Sequence, residues 1–257
     1  MTERPGPRQP VYANPIQAPG TDESHWRAWD GWEKLPVVRL PGSGRVVVVA
    51  AHPDDEVLGA GGVIAMLAEA GVSVTVVSVT DGERSHEAGR SVTPGRLADI
   101  RAAELRDALA ELGAGEAAVV RLKVPDTEVA FHEDAVIADL GNLLRGARLC
   151  LAPWIGDIHG DHEAAGRSAL AACREADVPC LMYPVWMWHW ARPDDPRVPW
   201  SSARRILLTE TARARKRTAA ERFTSQIRPL GPDPEDAAVL PPGELAHHLR
   251  DIEVVFA

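Results

Sequence analysis

Several things are scarce in this sequence, and each scarcity excludes something. Of 257 residues only three are cysteine: Cys150, Cys173 and Cys180. Their spacing matches no structural metal site, and an odd count without a secretion signal predicts reduced, buried thiols in a cytoplasm. No apolar run approaches the roughly 18 residues of a membrane-crossing helix. The proline-rich, polar N-terminus lacks the apolar core of a signal peptide. Positive charge is also short: the formal net charge is −9, which argues against a nucleic-acid partner. No Gly-x-Gly-x-x-Gly occurs, so a dinucleotide site is a weak reading. The remaining composition, 45% hydrophobic and 25% charged, is that of a globular protein long enough for one large domain.

The chain is organised around residues 45–56, Arg-Val-Val-Val-Val-Ala-Ala-His-Pro-Asp-Asp-Glu. Four consecutive valines predict a strand buried on both faces. Pro53 cannot donate to a sheet ladder, so the strand ends near it and the polar cluster sits at its carboxyl tip. Open α/β sheets bind their ligands there. Apolar residues at helical spacing follow over 57–70. Further strands are expected at 72–79, 118–124, 148–152, 180–185 and 206–208. Helices are expected at 96–112, 133–144, 160–175 and 211–226. This alternation predicts a single-domain α/β fold, a three-layer α/β/α arrangement around a mostly parallel, Rossmann-like sheet. An irregular arm (1–40) precedes the catalytic domain (41–226), and an extension (227–257) packs on it. Trp26, Trp29 and Trp32 in the arm share one helical face, which suits an arm covering apolar surface. Arg101 and Glu104, at i,i+3, read as a surface ion pair.

A second polar cluster, His159-Gly-Asp-His162, follows the strand at 148–152. Parallel neighbours bring their carboxyl ends together, so the two clusters can meet. Together they offer two or three imidazoles and several carboxylates. A divalent ion needs three such ligands and an open position to do chemistry. A spare carboxylate would be a general base, and a third imidazole would stabilise a developing oxyanion. Spacing leaves the metal open, because two histidines and a carboxylate also describe non-haem iron oxygenases. The spare acid Asp54 favours hydrolysis.

Ala51-His-Pro-Asp-Asp-Glu56 paired with His159-Gly-Asp-His162 resembles the PIG-L/LmbE family of zinc-dependent N-acetylglucosaminyl deacetylases. Thr80-Asp-Gly-Glu83, Arg101-Ala-Ala-Glu104, Pro125-Asp126 and the stretch from Lys216 to Gln226 extend the resemblance over about residues 45–226. It implies that His52, Asp55 and His162 bind zinc, with Fe²⁺ as another divalent candidate, and that Asp54 is the general base. It implies that a protonated His159 stabilises the oxyanion, oriented by Asp161, and that Arg101 and Asp126 touch the sugar or its aglycone. Departures are Gly160 for a common Pro, Thr127 for a Gly, Phe223 for a His, and Asp157 where some members carry Tyr. Asp157 is then expected to act on His159 or on a metal ligand.

Trp186, Trp188 and Trp190 alternate, and in a strand they would share one face, either as a sugar-stacking platform or as a buried contact. Trp186 and Trp188 are the expected substrate contacts, and a homo-oligomer through this strip is a further expectation. The implied activity is removal of acetyl from an N-acetylated amino sugar or its conjugate. An amidase acting on a thiol conjugate, an oxygenase and a non-catalytic metal- or sugar-binding module are the alternatives.

Overall fold

The computed structural model describes residues 16, 18–86 and 89–257. Most of the prolines expected to keep the arm irregular, at 5, 7, 10 and 15, lie outside the described residues, as do 87 and 88 of the loop that holds His86. A short helix, α1 (Glu23–Arg27), precedes β1 (Arg45–Ala50), α2 (Asp55–Glu69), β2 (Ser73–Ser78) and α3 (Pro94–Glu111). Then come β3 (Ala118–Arg121), α4 (Glu133–Leu144), β4 (Leu149–Pro153), α5 (Gly160–Ala176) and β5 (Cys180–Tyr183). The chain closes through α6 (Met187–Trp190), β6 (Ala203–Leu207), α7 (Glu210–Ala220), α8 (Thr224–Ile227) and β7 (Ile252–Phe256), with a 3₁₀ turn (Pro234–Asp236) and a short α-helix (Pro242–Ala246) before β7.

Among the described residues, seven strands form one sheet in the order β3-β2-β1-β4-β5-β7-β6. The first five are parallel, and β7 runs antiparallel between β5 and β6. The valines of β1 show why the sheet needs two helical layers. Val46 and Val48 enter one core with α2, α3 and α7, while Val47 and Val49 enter the other with α4 and α5. All four are fully buried, each worth about 1.5–2 kcal/mol in area removed from water. Strand order reverses between β1 and β4, which pair directly. A crevice opens at such a reversal, outside the carboxyl ends of the two strands. No helix among the described residues is long and apolar enough to cross a membrane.

Three expectations are corrected. The indole strip is not a strand: β5 stops at Tyr183, and the chain turns into the short helix α6. The buried Asp157 carboxylate causes this, because it accepts from the backbone N–H groups of Val185, Trp186 and Met187 at 2.8–3.0 Å and wraps them into a turn. The helix expected over 211–226 is broken after Ala220. Phe223 sinks into the core, and the Glu104 carboxylate captures Thr224 Oγ1 and both Ser225 N and Oγ to start α8. Arg101 and Glu104 are therefore no surface pair; both are buried and serve different partners.

A third core lies around β6 and β7. Trp26 and Trp29 of the arm pack with Trp188, Met187 and Phe256, so the arm covers apolar surface. Trp26 meets Trp188 edge-on at 5.1 Å, and Trp29 lies 4.6 Å from Trp200.

Candidate metal centre and active-site cleft

The loop after β1 and the start of α5 bring His52, Asp55 and His162 together. His52 Nδ1 lies 3.2 Å from His162 Nε2. Asp55 Oδ1 lies 3.2 Å from His162 Nε2, and its Oδ2 is 3.4 Å from His52 Nδ1. The outward ring nitrogens are already engaged. His162 Nδ1 meets Asp157 Oδ2 at 2.7 Å. His52 Nε2 faces Asp126 Oδ1 at 3.2 Å and Asp161 Oδ2 at 3.3 Å. Protons on those outward nitrogens leave the two inward lone pairs facing each other and a carboxylate. Such an arrangement needs a cation at its centre. Ligand bonds of 2.0–2.2 Å in a tetrahedral zinc site place ligand atoms about 3.3–3.5 Å apart, close to the separations observed. The donor set therefore fits a divalent metal.

The electrostatics agree. Burial opposes charge on both imidazoles, but the surrounding carboxylates outweigh it: Asp126 foremost raises His52, and Asp55 raises His162. Burial would likewise raise Asp55, yet His162 and His52 hold it well below the usual carboxylate range. Without a metal this pocket collects protons, so metal binding must release them.

A second group of donors shares His52: its Nε2 with Asp126 and Asp161. Those two carboxylates are occupied by backbone donors. Asp126 Oδ2 accepts from Arg84 N at 2.8 Å, and Asp161 accepts from Thr127 N at 2.7 Å and Val129 N at 3.2 Å. They are placed to hold His52 rather than a second ion.

Asp54 stands beside the donors, at the turn between β1 and α2, with φ of 136°. That backbone is strained for a residue with a side chain, a state that persists only where the surroundings enforce it. Arg101 Nη2 enforces it, donating to Pro53 O at 2.7 Å and pairing with Asp54 Oδ2 at 3.1 Å. Burial pushes Asp54 up to about 7 despite Arg101. Its neighbour Glu56, fully buried, is pushed up by burial and by the Asp54 charge to about 8. A neutral Glu56 spares the turn a third negative charge.

Residues 47–173 match the family described as GlcNAc-PI de-N-acetylase, PIG-L. The chain carries a PIG-L domain. It is 33% identical over 132 residues to the Bacillus cereus protein named "Probable N-acetyl-alpha-D-glucosaminyl L-malate deacetylase 2", a match covering 49% of this chain and 60% of that one. The chain thus spans less than two thirds of that relative's length. It is 28% identical over 226 residues to the 1D-myo-inositol 2-acetamido-2-deoxy-alpha-D-glucopyranoside deacetylase of Rhodococcus opacus, covering 78% and 70%. Among solved structures it is similar to the N,N'-diacetylchitobiose deacetylase of Pyrococcus horikoshii, with 22% identity, a TM-score of 0.57 and coverage of 82% and 77%. This last likeness is one of fold.

Within the PIG-L domain, several placements differ from expectation. The Asp161 side chain faces His52, not His159. His159 Nδ1 instead accepts from the Asp161 backbone N–H at 3.3 Å as the cap of α5. That assigns the ring proton to Nε2. Burial, reinforced by the His162 and His52 charges, pushes His159 down to about 3, a direction that favours the neutral ring. Asp126 and Arg101 line the cleft, but the Asp126 oxygens and the Arg101 Nη1 and Nη2 groups are committed to His52, Asp54 and backbone groups, which leaves Arg101 Nε without a partner among the described residues. Asp157 engages His162. Thr127 takes a φ of 70°, the left-handed backbone that a glycine adopts without cost.

The cleft has a volume of about 200 Å³. Trp186 lines it, whereas Trp188 does not; Trp188 is buried in the aromatic core. The cleft also draws on Ile16, Ser85, Gln226, Val239 and Leu240. Val239 and Leu240 carry no polar signal in the sequence. They reach the cleft because Leu240 N donates to Gln226 O at 2.9 Å, a contact between distant segments. Except for Ser85, these residues lie outside the stretch that matches the family.

Proposed function

We propose that this chain is a zinc-dependent N-deacetylase that removes acetyl from an N-acetylglucosamine-type sugar conjugate. The observation that carries the reading is the convergence of two inward imidazole nitrogens, 3.2 Å apart, on the Asp55 carboxylate, whose two oxygens lie 3.2 and 3.4 Å from them, with a strained, buried carboxylate beside them in one cleft. The sugar deacetylase names of the relatives support the substrate class. His52, Asp55 and His162 would hold the ion, which would supply Lewis-acid polarisation of the amide and acidify water at the site.

The remaining work falls to the chain. Asp54 takes a proton from the attacking water at its carboxylate and returns it to the leaving nitrogen. Arg101 fixes the Asp54 rotamer and keeps the group ionisable in a buried site. His159, neutral with its proton on Nε2, donates a hydrogen bond to the charge that develops on the acetyl oxygen. Asp157, Asp126 and Asp161 fix the orientation and tautomers of the ligand rings. Trp186 offers an aromatic face to the sugar.

The test is amine release from a panel of N-acetylglucosamine conjugates, using protein stripped of metal and then given Zn²⁺. Activity should return with zinc. Asp54→Asn should keep one zinc per chain and lose about 10²–10⁴ of the rate. Full activity in Asp54→Asn would exclude this base.

A further inference from the structure

The three cysteines lie apart in sequence and together in space. Cys150 is on β4, Cys180 is its register partner on β5, and Cys173 comes from α5 across them. All three thiols are free, and their sulfurs lie within 4.8 Å of one another. Two are buried and Cys180 is half-buried, so the trio has one accessible edge. It sits near the amino ends of β4 and β5, opposite the cleft. Along α5, Cys173 is eleven residues beyond His162, about 16 Å of helix.

We propose that Cys150, Cys173 and Cys180 form a three-thiolate site for a soft trivalent ion of the arsenite class, separate from the catalytic metal. Three arguments support it. Sulfur is the only donor type in the cluster, which favours soft ions over hard ones. The three sulfurs come from two paired strands and a helix packed on them, so the site is preorganised on rigid elements. Bonds of about 2.3 Å to a shared ion need sulfurs about 4 Å apart or less, within 1 Å or so of where they stand.

Charge selects the ion. The trio shares an apolar core with Val47, Ala169, Ala172 and Val178, and among the described residues the main influences on the three thiols are one another and burial. A divalent ion with three thiolates carries a net negative charge, costly to bury there. A trivalent ion with three thiolates is neutral. The neighbouring Cys150 and Cys180 thiols lower the Cys173 pKa, which eases loss of the first proton. The exchange balances without oxidation: As(OH)₃ with three thiols gives As(S-Cys)₃ and three waters. Three S–H and three As–O bonds break; three As–S and three O–H bonds form.

The experiment uses the full chain, loaded with Zn²⁺ and reduced with a phosphine rather than a thiol. Arsenite is titrated in and followed by mass spectrometry and by counting alkylatable cysteines. One arsenic per chain, with three protons lost and all three cysteines protected, is expected. Cys150→Ser, Cys173→Ser and Cys180→Ser should each weaken binding by about 100-fold or more, because each removes a direct ligand. If a variant fails to fold, the wild-type result decides alone. Folded, reduced wild-type protein that takes up no arsenic overturns the site, as does loss of two thiols to a disulfide in its place. Cd²⁺ protecting all three thiols more tightly than arsenite would overturn the charge argument.

Discussion

At the scale of single residues, the cleft depends on groups that never touch a substrate. Asp157 is fully buried and divides its carboxylate between His162 and three backbone N–H groups. Asp157→Asn should weaken zinc binding about 10–100-fold, measured by competition with a chelator. Asp54 is raised to about 7 by burial, and a nearby divalent cation favours its charged form. The base works deprotonated, so the rate must fall as pH drops through its pKa, with the acid limb of the zinc-loaded protein below 7. Removing the Arg101 charge raises that pKa; Arg101→Met should move the limb up by roughly one unit in a pH–rate profile. Thr127 keeps a left-handed backbone to present its N–H to Asp161. Thr127→Gly relieves that strain at some cost in chain entropy, a net gain of about 0.5–1 kcal/mol, readable in thermal melts. A sequence shows which residue stands at 127 but not the φ it must adopt.

Among elements, α2 shows how a catalytic turn is joined to the core. Its ladder is interrupted at Ala60, with φ of −140°. The freed N–H groups of Gly62 and Val63 donate to the Glu253 carboxylate of β7 at 2.7 and 2.9 Å. Lys216 of α7 closes the circuit, donating to Glu253 at 2.7 Å and to Leu58 O at 2.8 Å. Both side chains are almost fully buried. Lys216→Met strands a buried carboxylate and should cost about 3–5 kcal/mol, measured by denaturant unfolding. Gly59 permits the same close approach, because a Cβ there would lie 2.0 Å from Tyr183. Periodicity was enough to locate α2, α3, α4 and α5, since each buries a stripe against one sheet face. It failed at 186–190 and at 221–223, where a distant carboxylate, Asp157 or Glu104, captures backbone donors and redirects the chain. Local pattern carries no trace of such a partner.

For the whole molecule, the described part of the arm and the C-terminal extension are tied to each other and to the body. Glu23 of α1 meets Arg250 at 2.5 Å and His247 at 2.8 Å. The Arg250 guanidinium lies 4.3 Å from the ring centre of Trp188 and 5.2 Å from that of Trp32. Burial would raise the Glu23 carboxyl, but hydrogen bonds from His247 and Arg250 outweigh it and hold it below its ordinary 4.5. A carboxyl depressed in the folded state contributes stability above its unfolded pKa and loses it as pH falls through the folded value. Thermal stability should therefore decline below pH 4.5, and Glu23→Gln should flatten that decline in melts across pH 3–7. Ile16 of the arm and Val239 and Leu240 of the C-terminal extension also line the cleft.

What the sequence by itself determined is the part encoded by contiguous residues. Four valines running into His-Pro-Asp-Asp-Glu define a central strand and a polar tip, and alternating strands and helices define a parallel sheet. Once β1 and β4 pair, two short clusters must meet, because parallel neighbours share their carboxyl ends. The tertiary structure alone decided what each carboxylate faces. Asp161 turns to His52, Asp126 is drawn inward, Trp188 is buried, and three widely spaced thiols converge. Each outcome depends on side chains from segments far apart in the chain, where packing geometry and burial, not sequence spacing, select the partner.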